Sequence, residues 1–165
     1  MISFPHLARR RDYALEPLEP NHGSDLAMLH REDFVRPWSQ EEFASLLEDR
    51  HVFGFAARQV GNPKAAPVGF VLARLAAGEA EILTVAVART HRRHGLGWRL
   101  MDAVLRQLHA DRAEALFLEV DETNLPALHL YRRMGFHQVG KRANYYEGSG
   151  DQGRTSALVM RRDLR

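Results

Sequence analysis

A glycine-rich turn between a predicted strand and a predicted helix constrains the fold of this chain most. The turn spans residues 92–97, follows the apolar run 81–87 and precedes a helix predicted over 98–110. The first N–H groups of a helix lack intrahelical partners, and the helix dipole adds positive charge there. Glycines let a phosphate approach the backbone, and Arg92 and Arg93 raise the local potential. The turn therefore predicts a binding site for a phosphate-bearing ligand.

The spacing within the turn excludes two common phosphate-binding motifs. No Gly-Lys-Ser/Thr is present, so a P-loop is excluded, and the two glycines do not complete Gly-x-Gly-x-x-Gly. On the turn alone, a basic helix N-terminus without any ligand remains an alternative.

Composition predicts one compact domain. The chain has 165 residues, of which 45% are hydrophobic, enough for one sizeable core. We expect a short extension over 1–11 and a single domain over 12–165. The 23 basic and 21 acidic residues give a net charge of only +2, so direct nucleic-acid recognition is not expected.

The residue types exclude several further classes of site. The chain has no cysteine, which removes disulfides and thiol catalysis and is compatible with a cytoplasmic location, which we expect. No apolar run approaches the length of a membrane span. No spacing indicates a metal site, and His91 and His94 are interpreted as surface histidines beside the turn.

Hydrophobic periodicity predicts an alternating α/β order in one domain. Ser39 and Glu42 have the spacing of a capping box at a helix start. Trp38 precedes this cap and is either a hydrophobic staple or part of a substrate wall. Strands are predicted over 13–18, 52–59, 67–74, 79–88, 115–120, from 136 and over 156–160, and further helices over 21–34 and 126–134, with a polar loop over 144–153.

Two motifs together resemble a known family. Residues 92–97 resemble the Arg-x-x-Gly-x-Gly pyrophosphate motif of Gcn5-related N-acetyltransferases (GNAT), and residues 124–136 resemble their second signature, Asn-x-x-Ala-x-x-Leu-Tyr-x-x-x-Gly-Phe. Leu118-Glu119-Val120, Pro37-Trp38-Ser39 and Asn144-Tyr145-Tyr146 are similar to segments of the bacterial ribosomal-protein-alanine N-acetyltransferases, the RimI family. The resemblance implies a single-domain α/β fold. Its mixed, mostly antiparallel sheet is flanked by helices and has a splayed pair of strands at the acetyl-CoA site.

The resemblance also implies an activity. It implies transfer of an acetyl group from acetyl-CoA to a protein N-terminal α-amine, with a small-subunit ribosomal protein that begins with alanine as the favoured substrate. An N-terminal amine with a pKa near ~8 suits a single glutamate base better than lysine near ~10.4. Two alternatives remain: acetylation of a small-molecule amine, and a non-catalytic acyl-CoA-binding subunit.

Two residues carry the implied chemistry. Glu119 is the candidate base, and strand alternation places it on one face with Phe117 and Asp121. The alternative is a carboxylate paired with a nearby arginine. Tyr131 is the candidate acid that donates to the departing sulfur; the alternative is an ordinary core tyrosine.

The remaining implied site residues bind the two substrates. Asn124 is expected to cap a helix as well as contact coenzyme A. Trp98 occupies a position where the family often has arginine. The implied acetyl-CoA contacts are Val85, Ala86, Val87, Arg92, Arg93, His94, Gly95, Leu96, Gly97, Trp98 and Asn124, and the implied acceptor contacts are Trp38, Tyr145 and Tyr146. The alternative for the two tyrosines is surface aromatics that cover a sheet edge.

Overall fold

The computed structural model describes residues 11–146 and 153–165. These residues form seven strands and four α-helices in an alternating order. The elements are β1 (Tyr13–Pro17), α1 (Gly23–Arg31), α2 (Gln40–Glu48), β2 (Val52–Gln59), β3 (Gly69–Ala76), β4 (Glu79–Val87), α3 (Leu96–Ala110), β5 (Ala115–Asp121), α4 (Leu125–Arg133), β6 (His137–Tyr146) and β7 (Thr155–Asp163).

All seven strands join one sheet in the order β1-β2-β3-β4-β5-β7-β6. Every neighbouring pair is antiparallel except β4 and β5, which are parallel. The predicted α/β fold with a mixed, mostly antiparallel sheet is therefore confirmed. None of the described helices has the length and apolar character needed to cross a membrane.

The parallel pair β4–β5 stays together over only one end of each strand. The register pairs Glu79–Glu81 with Ala115–Phe117, and no pairing follows although both strands continue. The predicted splayed pair is confirmed at this point. On its other edge β4 is irregular, because Leu72 pairs with Thr84 and Ala73 with Ile82, so that the intervening residue is bulged.

Two apolar layers cover the two faces of the sheet. Along β3, Val71 packs into the layer that contains α3, whereas Phe70 and Leu72 pack into the layer that contains α1 and α2. This alternation follows from the two-residue period of a strand. Tyr131 of α4 belongs to the α3 layer, whereas Ala86 of β4, beyond the last β4–β5 pair, belongs to the α1 and α2 layer. Both layers therefore reach the region where β4 and β5 separate.

The predicted start of α2 is confirmed. The Ser39 N–H donates to Glu42 Oε2 at 2.7 Å, and the Glu42 N–H donates to Ser39 Oγ at 3.1 Å. The Trp38 and Phe43 rings lie 5.4 Å apart, which is the packing expected of a hydrophobic staple.

Several predicted boundaries differ from the structure; for example, β3 spans Gly69–Ala76 rather than 67–74 and β7 spans Thr155–Asp163 rather than 156–160. Two further differences change how a segment is described. The helix predicted over 21–34 is a 3₁₀ turn, Pro20–His22, followed by α1, which ends at Arg31. The loop predicted from residue 144 begins later, because Tyr146 pairs with Thr155 and keeps the end of β6 in the sheet. The rest of that loop over 147–152, and the predicted extension apart from Arg11, lie outside the described residues.

Candidate active site

The gap between β4 and β5 exposes strand edges that have no sheet partner. Val85, Ala86 and Val87 pair with β3 on one side of β4 but with no residue of β5 on the other. In an antiparallel pair only part of the backbone groups point to the neighbouring strand. The remaining N–H and C=O groups of this segment face the gap, where an extended ligand with amide groups could bond to them as an added strand.

The glycine-rich turn forms a concave backbone segment at the start of α3. Arg93 and Gly95 have positive φ angles of 62° and 73°, and successive N–H groups in such turns form anion-binding concavities. Leu96, Gly97 and Trp98 are the first residues of α3, so their N–H groups lack intrahelical acceptors. These donors have the arrangement that binds a pyrophosphate.

Gly97 also lets α3 and α4 approach each other. A Cβ added at Gly97 would lie 3.3 Å from Leu130 Cδ2 of α4, which is tighter than almost all such contacts. A larger side chain would therefore have to displace Leu130 or enter the space before the helix N-terminus.

The two arginines of the turn have different surroundings. Arg92 forms an ion pair with Asp33 and donates from Nε to the Val87 carbonyl at 3.1 Å. It thereby connects the end of β4 to the segment after α1. The side chains of Arg93 and His94 are exposed, and the His94 ring lies 5.9 Å from that of Tyr13.

Trp98 contacts an arginine that the sequence did not indicate. Its ring is 41% exposed, and the Arg133 guanidinium of α4 lies 5.8 Å from the ring centre. Both residues line a groove of about 520 Å³ that runs between α3 and α4. Position 98, where the family often has an arginine, is a tryptophan in this chain, and Arg133 of α4 places a cation beside it.

Asn124 Oδ1 accepts the Ala127 N–H at 3.3 Å, which confirms its predicted role as the α4 cap.

Glu119 lies on the face of β5 that the alternation predicted. Leu118 and Val120 are buried, whereas Glu119 is partly exposed. Glu119 Oε1 lies 3.0 Å from Nη2 of Arg142 on β6. The arginine ion pair that was the alternative interpretation of Glu119 is therefore present. Arg142 was missed because it belongs to a strand that reaches Glu119 only across β7.

Tyr131 is buried and packs edge-on against Phe136, with ring centres 5.9 Å apart. Burial, followed by the neighbouring Tyr146, raises the pKa of Tyr131 to about 12. The phenol therefore keeps its proton at neutral pH. The core packing considered as the alternative is present as well, and it orients the ring.

Tyr145 and Tyr146 lie at the end of β6, where the strand is irregular. The register changes between Arg142 and Tyr146, and Asn144 adopts a left-handed conformation with φ 53°. This irregularity brings the two tyrosine rings within 5.1 Å of each other. Burial, then the charge of Glu119, raises the pKa of Tyr146 to about 12. Arg142 links the tyrosine pair to the carboxylate, because its guanidinium contacts both Glu119 and the Tyr145 ring.

At one end of the sheet Arg142 joins Glu119 to the pair Tyr145 and Tyr146, and Tyr146 also contributes to the raised pKa of Tyr131. Trp38 lies elsewhere: its ring stacks on that of His30, with ring centres 5.0 Å apart, and packs with the α1 and α2 layer.

Over residues 11–146 and 153–165, no group of three or more histidine, aspartate or glutamate side chains could hold a metal ion.

Comparisons with known proteins agree with this architecture. The sequence model of the acetyltransferase (GNAT) family matches residues 24–136. The [ribosomal protein bS18]-alanine N-acetyltransferase of Escherichia coli K12 is 32% identical over 124 residues, which cover 75% of this chain and 79% of that protein. The N-alpha-acetyltransferase RimI of Mycobacterium tuberculosis H37Rv is 34% identical over 131 residues, which cover 77% and 76%. The crystal structure of the ribosomal-protein-S18-alanine N-acetyltransferase from Escherichia coli superposes with a TM-score of 0.84 at 26% identity, covering 93% of this chain and 94% of that one.

Proposed function

The chain belongs to the GNAT family and is an acetyl-CoA-dependent N-acetyltransferase, and on that premise we propose that its acceptor is the N-terminal α-amine of a protein. The favoured acceptor is a small-subunit ribosomal protein that begins with alanine. The observation that carries the proposal is that Arg142 joins Glu119 to the pair Tyr145 and Tyr146, where a peptide terminus would meet the candidate base.

The gap and the turn fit acetyl-CoA. Amide groups of an extended pantetheine arm match the backbone groups of Val85, Ala86 and Val87 that point away from β3, of which the Val87 carbonyl already accepts a hydrogen bond from Arg92 Nε. The pyrophosphate matches the N–H groups at the start of α3, and Arg93, His94 and Trp98 border that position. When bound, acetyl-CoA supplies the acetyl group as a thioester.

Glu119 is proposed to accept a proton from the acceptor ammonium group. The last pair between β4 and β5 joins Glu81 to Phe117, and Glu119 follows two residues later on β5. Its carboxylate therefore lies in the part of β5 that borders the gap. A base held within reach of the attacking amine typically contributes about 10²–10⁴-fold to a rate. Direct transfer and transfer through one water molecule both suit this position.

Tyr131 is proposed to donate a hydrogen bond to the departing sulfur. Its phenol, with a pKa raised to about 12, holds its proton more tightly than a free thiol, whose pKa is about 8.5. The phenol would therefore stabilise the charge that develops on sulfur through a hydrogen bond rather than by giving up the proton completely.

The relatives support the choice of a protein terminus over a small amine. Two relatives above 30% identity are named for action on a ribosomal-protein alanine or on α-amines. Because one fold hosts many acceptors, the support comes from these sequences and from the tyrosine pair. Roles for Trp38 in acceptor binding and for Asn124 in coenzyme A binding, and a cytoplasmic location, stay predictions.

Acetylation of defined amines tests the acceptor. We expect rapid transfer to a peptide that begins with alanine, and little to the same peptide with a blocked N-terminus and a free lysine, or to polyamines and aminoglycosides. Turnover of a small amine without peptide acetylation would establish the small-molecule alternative. Acetyl-CoA binding without turnover of any amine would establish the non-catalytic one.

A matched pair of variants tests the base. Glu119→Gln should lower kcat by about a hundredfold or more. Glu122→Gln is the control, because Glu122 is a nearby carboxylate that pairs with Lys141 at 2.9 Å and has no proposed catalytic role. If Glu119→Gln kept the same kcat as Glu122→Gln and the unmodified enzyme, Glu119 would not be the base.

A further inference from the structure

The base candidate Glu119 has a fixed partner on another strand. Arg142 Nη2 lies 3.0 Å from Glu119 Oε1, within the range of a charge-assisted hydrogen bond. Both residues flank β7: Glu119 pairs with Val159 in register, and Arg142 pairs with Ala157. The contact therefore joins two strands that do not pair directly with each other.

Arg142 also contacts the tyrosine pair proposed to border the acceptor. Its guanidinium lies 5.4 Å from the centre of the Tyr145 ring, a cation–π distance. A single side chain thus touches both the candidate base and the candidate acceptor wall. It lies next to the irregular segment of β6, which ends in the two tyrosines.

We propose that Arg142 is a positioning residue of the transfer reaction, which orients the Glu119 carboxylate and aligns it with the aromatic wall formed by Tyr145 and Tyr146. The proposal rests on the proposed role of Glu119 as the base. A carboxylate has two oxygens. While Arg142 bonds to Oε1, the amine of the acceptor can approach the other oxygen.

The test is the split between kcat and the Kd for acetyl-CoA in Arg142→Gln and Arg142→Lys. With Gln, kcat should fall about threefold to tenfold while the Kd for acetyl-CoA stays unchanged. Lys keeps a donor that can reach the Glu119 carboxylate and should restore most of kcat. In the Glu119→Gln background Arg142→Gln should have no further effect, because a positioning residue acts through Glu119.

Arg161→Gln is the matched control. Arg161 of β7 also has an ion pair, to Asp163 at 2.8 Å, and a cation–π contact, to Phe117 at 5.1 Å. Its loss should leave kcat and the Kd for acetyl-CoA unchanged. Because the Arg142 side chain is 58% exposed, its replacement should not unfold the protein, and thermal melts of each variant check this.

The outcomes separate this inference from the proposed function. An unchanged kcat of Arg142→Gln, or an equal loss on adding it to Glu119→Gln, would overturn the role of Arg142. Should Arg142→Lys be as slow as Arg142→Gln, the contact with the Glu119 carboxylate would be overturned as the basis of that role. Full activity of Glu119→Gln would instead overturn the proposed base itself.

Discussion

Arg92 and Asp33 form an ion pair that ties the loop before α3 to the segment after α1. Arg92 also bonds to the Val87 carbonyl at the end of β4. Its guanidinium is thus engaged with the protein on two sides. We infer that Arg92 supports acetyl-CoA binding chiefly by holding the loop in shape.

Removal of either partner of this pair should weaken acetyl-CoA binding similarly. We expect Asp33→Asn and Arg92→Gln each to raise Kd by up to about fivefold, since a partly exposed ion pair contributes about 0–1 kcal/mol. Calorimetric titration of both variants and of the double variant should show no further loss in the double, with Asp25→Asn as the control. Tighter binding by Asp33→Asn would mean that Arg92, once released, contacts the pyrophosphate directly.

Gly97→Glu should abolish acetyl-CoA binding. A Cβ at this position meets Leu130 at 3.3 Å, and the added carboxylate would occupy the anion site with negative charge. Gly153→Glu adds the same charge where a Cβ would meet nothing within 4 Å, and it should leave affinity unchanged. Equal affinities of the two variants would mean that the pyrophosphate binds elsewhere.

Tyr131→Phe should lower kcat by about a hundredfold while Kd for acetyl-CoA changes little. Only the phenol is lost, and the ring packing against Phe136 is kept. Tyr13→Phe serves as the control, because it removes a hydroxyl that bonds to His91 Nδ1 at 3.0 Å, on the other side of the turn. Normal turnover of Tyr131→Phe would leave only the packing role.

His30 should make the fold sensitive to mild acid. Burial lowers the pKa of His30 to about 4, although the nearby Glu42 and Asp33 oppose this shift. In the unfolded chain the pKa of His30 would be near its ordinary 6.5. Between pH 6.5 and 4 the unfolded state therefore binds a proton on His30 and the folded state does not. The stability that the folded state gains from holding His30 neutral is fully present above pH 6.5, and it is lost as the pH falls from 6.5 towards 4.

The measurement for His30 is the free energy of unfolding by urea between pH 7 and 4. We expect a decline of about 1–3 kcal/mol, and a shallower decline in His30→Phe, which keeps a ring beside Phe34 and Trp38 but has no titrating group. His51→Phe is the control, since His51 is an exposed histidine. Identical slopes in both variants would exclude His30 as the source.

Local features of this molecule were predictable from the sequence, and the contacts across the sheet were not. The Ser39–Glu42 capping box depends on residues three apart, and its spacing alone specified it. The Glu119–Arg142 contact depends on β7, a later segment that inserts between β5 and β6. The same insertion extends β6 through Tyr146, where local polarity had predicted a loop.

The parting of β4 and β5 divides the sheet mechanically. Only three register pairs join the four-stranded half, β1 to β4, to the three-stranded half, β5 to β7. Residues of both halves share the apolar core on the α3 side, and a ligand that bonded along the gap would add hydrogen bonds to both free strand edges. Acetyl-CoA should therefore suppress amide exchange most along the free edges of β4 and β5, so that occupancy by the acyl donor becomes a source of stiffness for the whole domain.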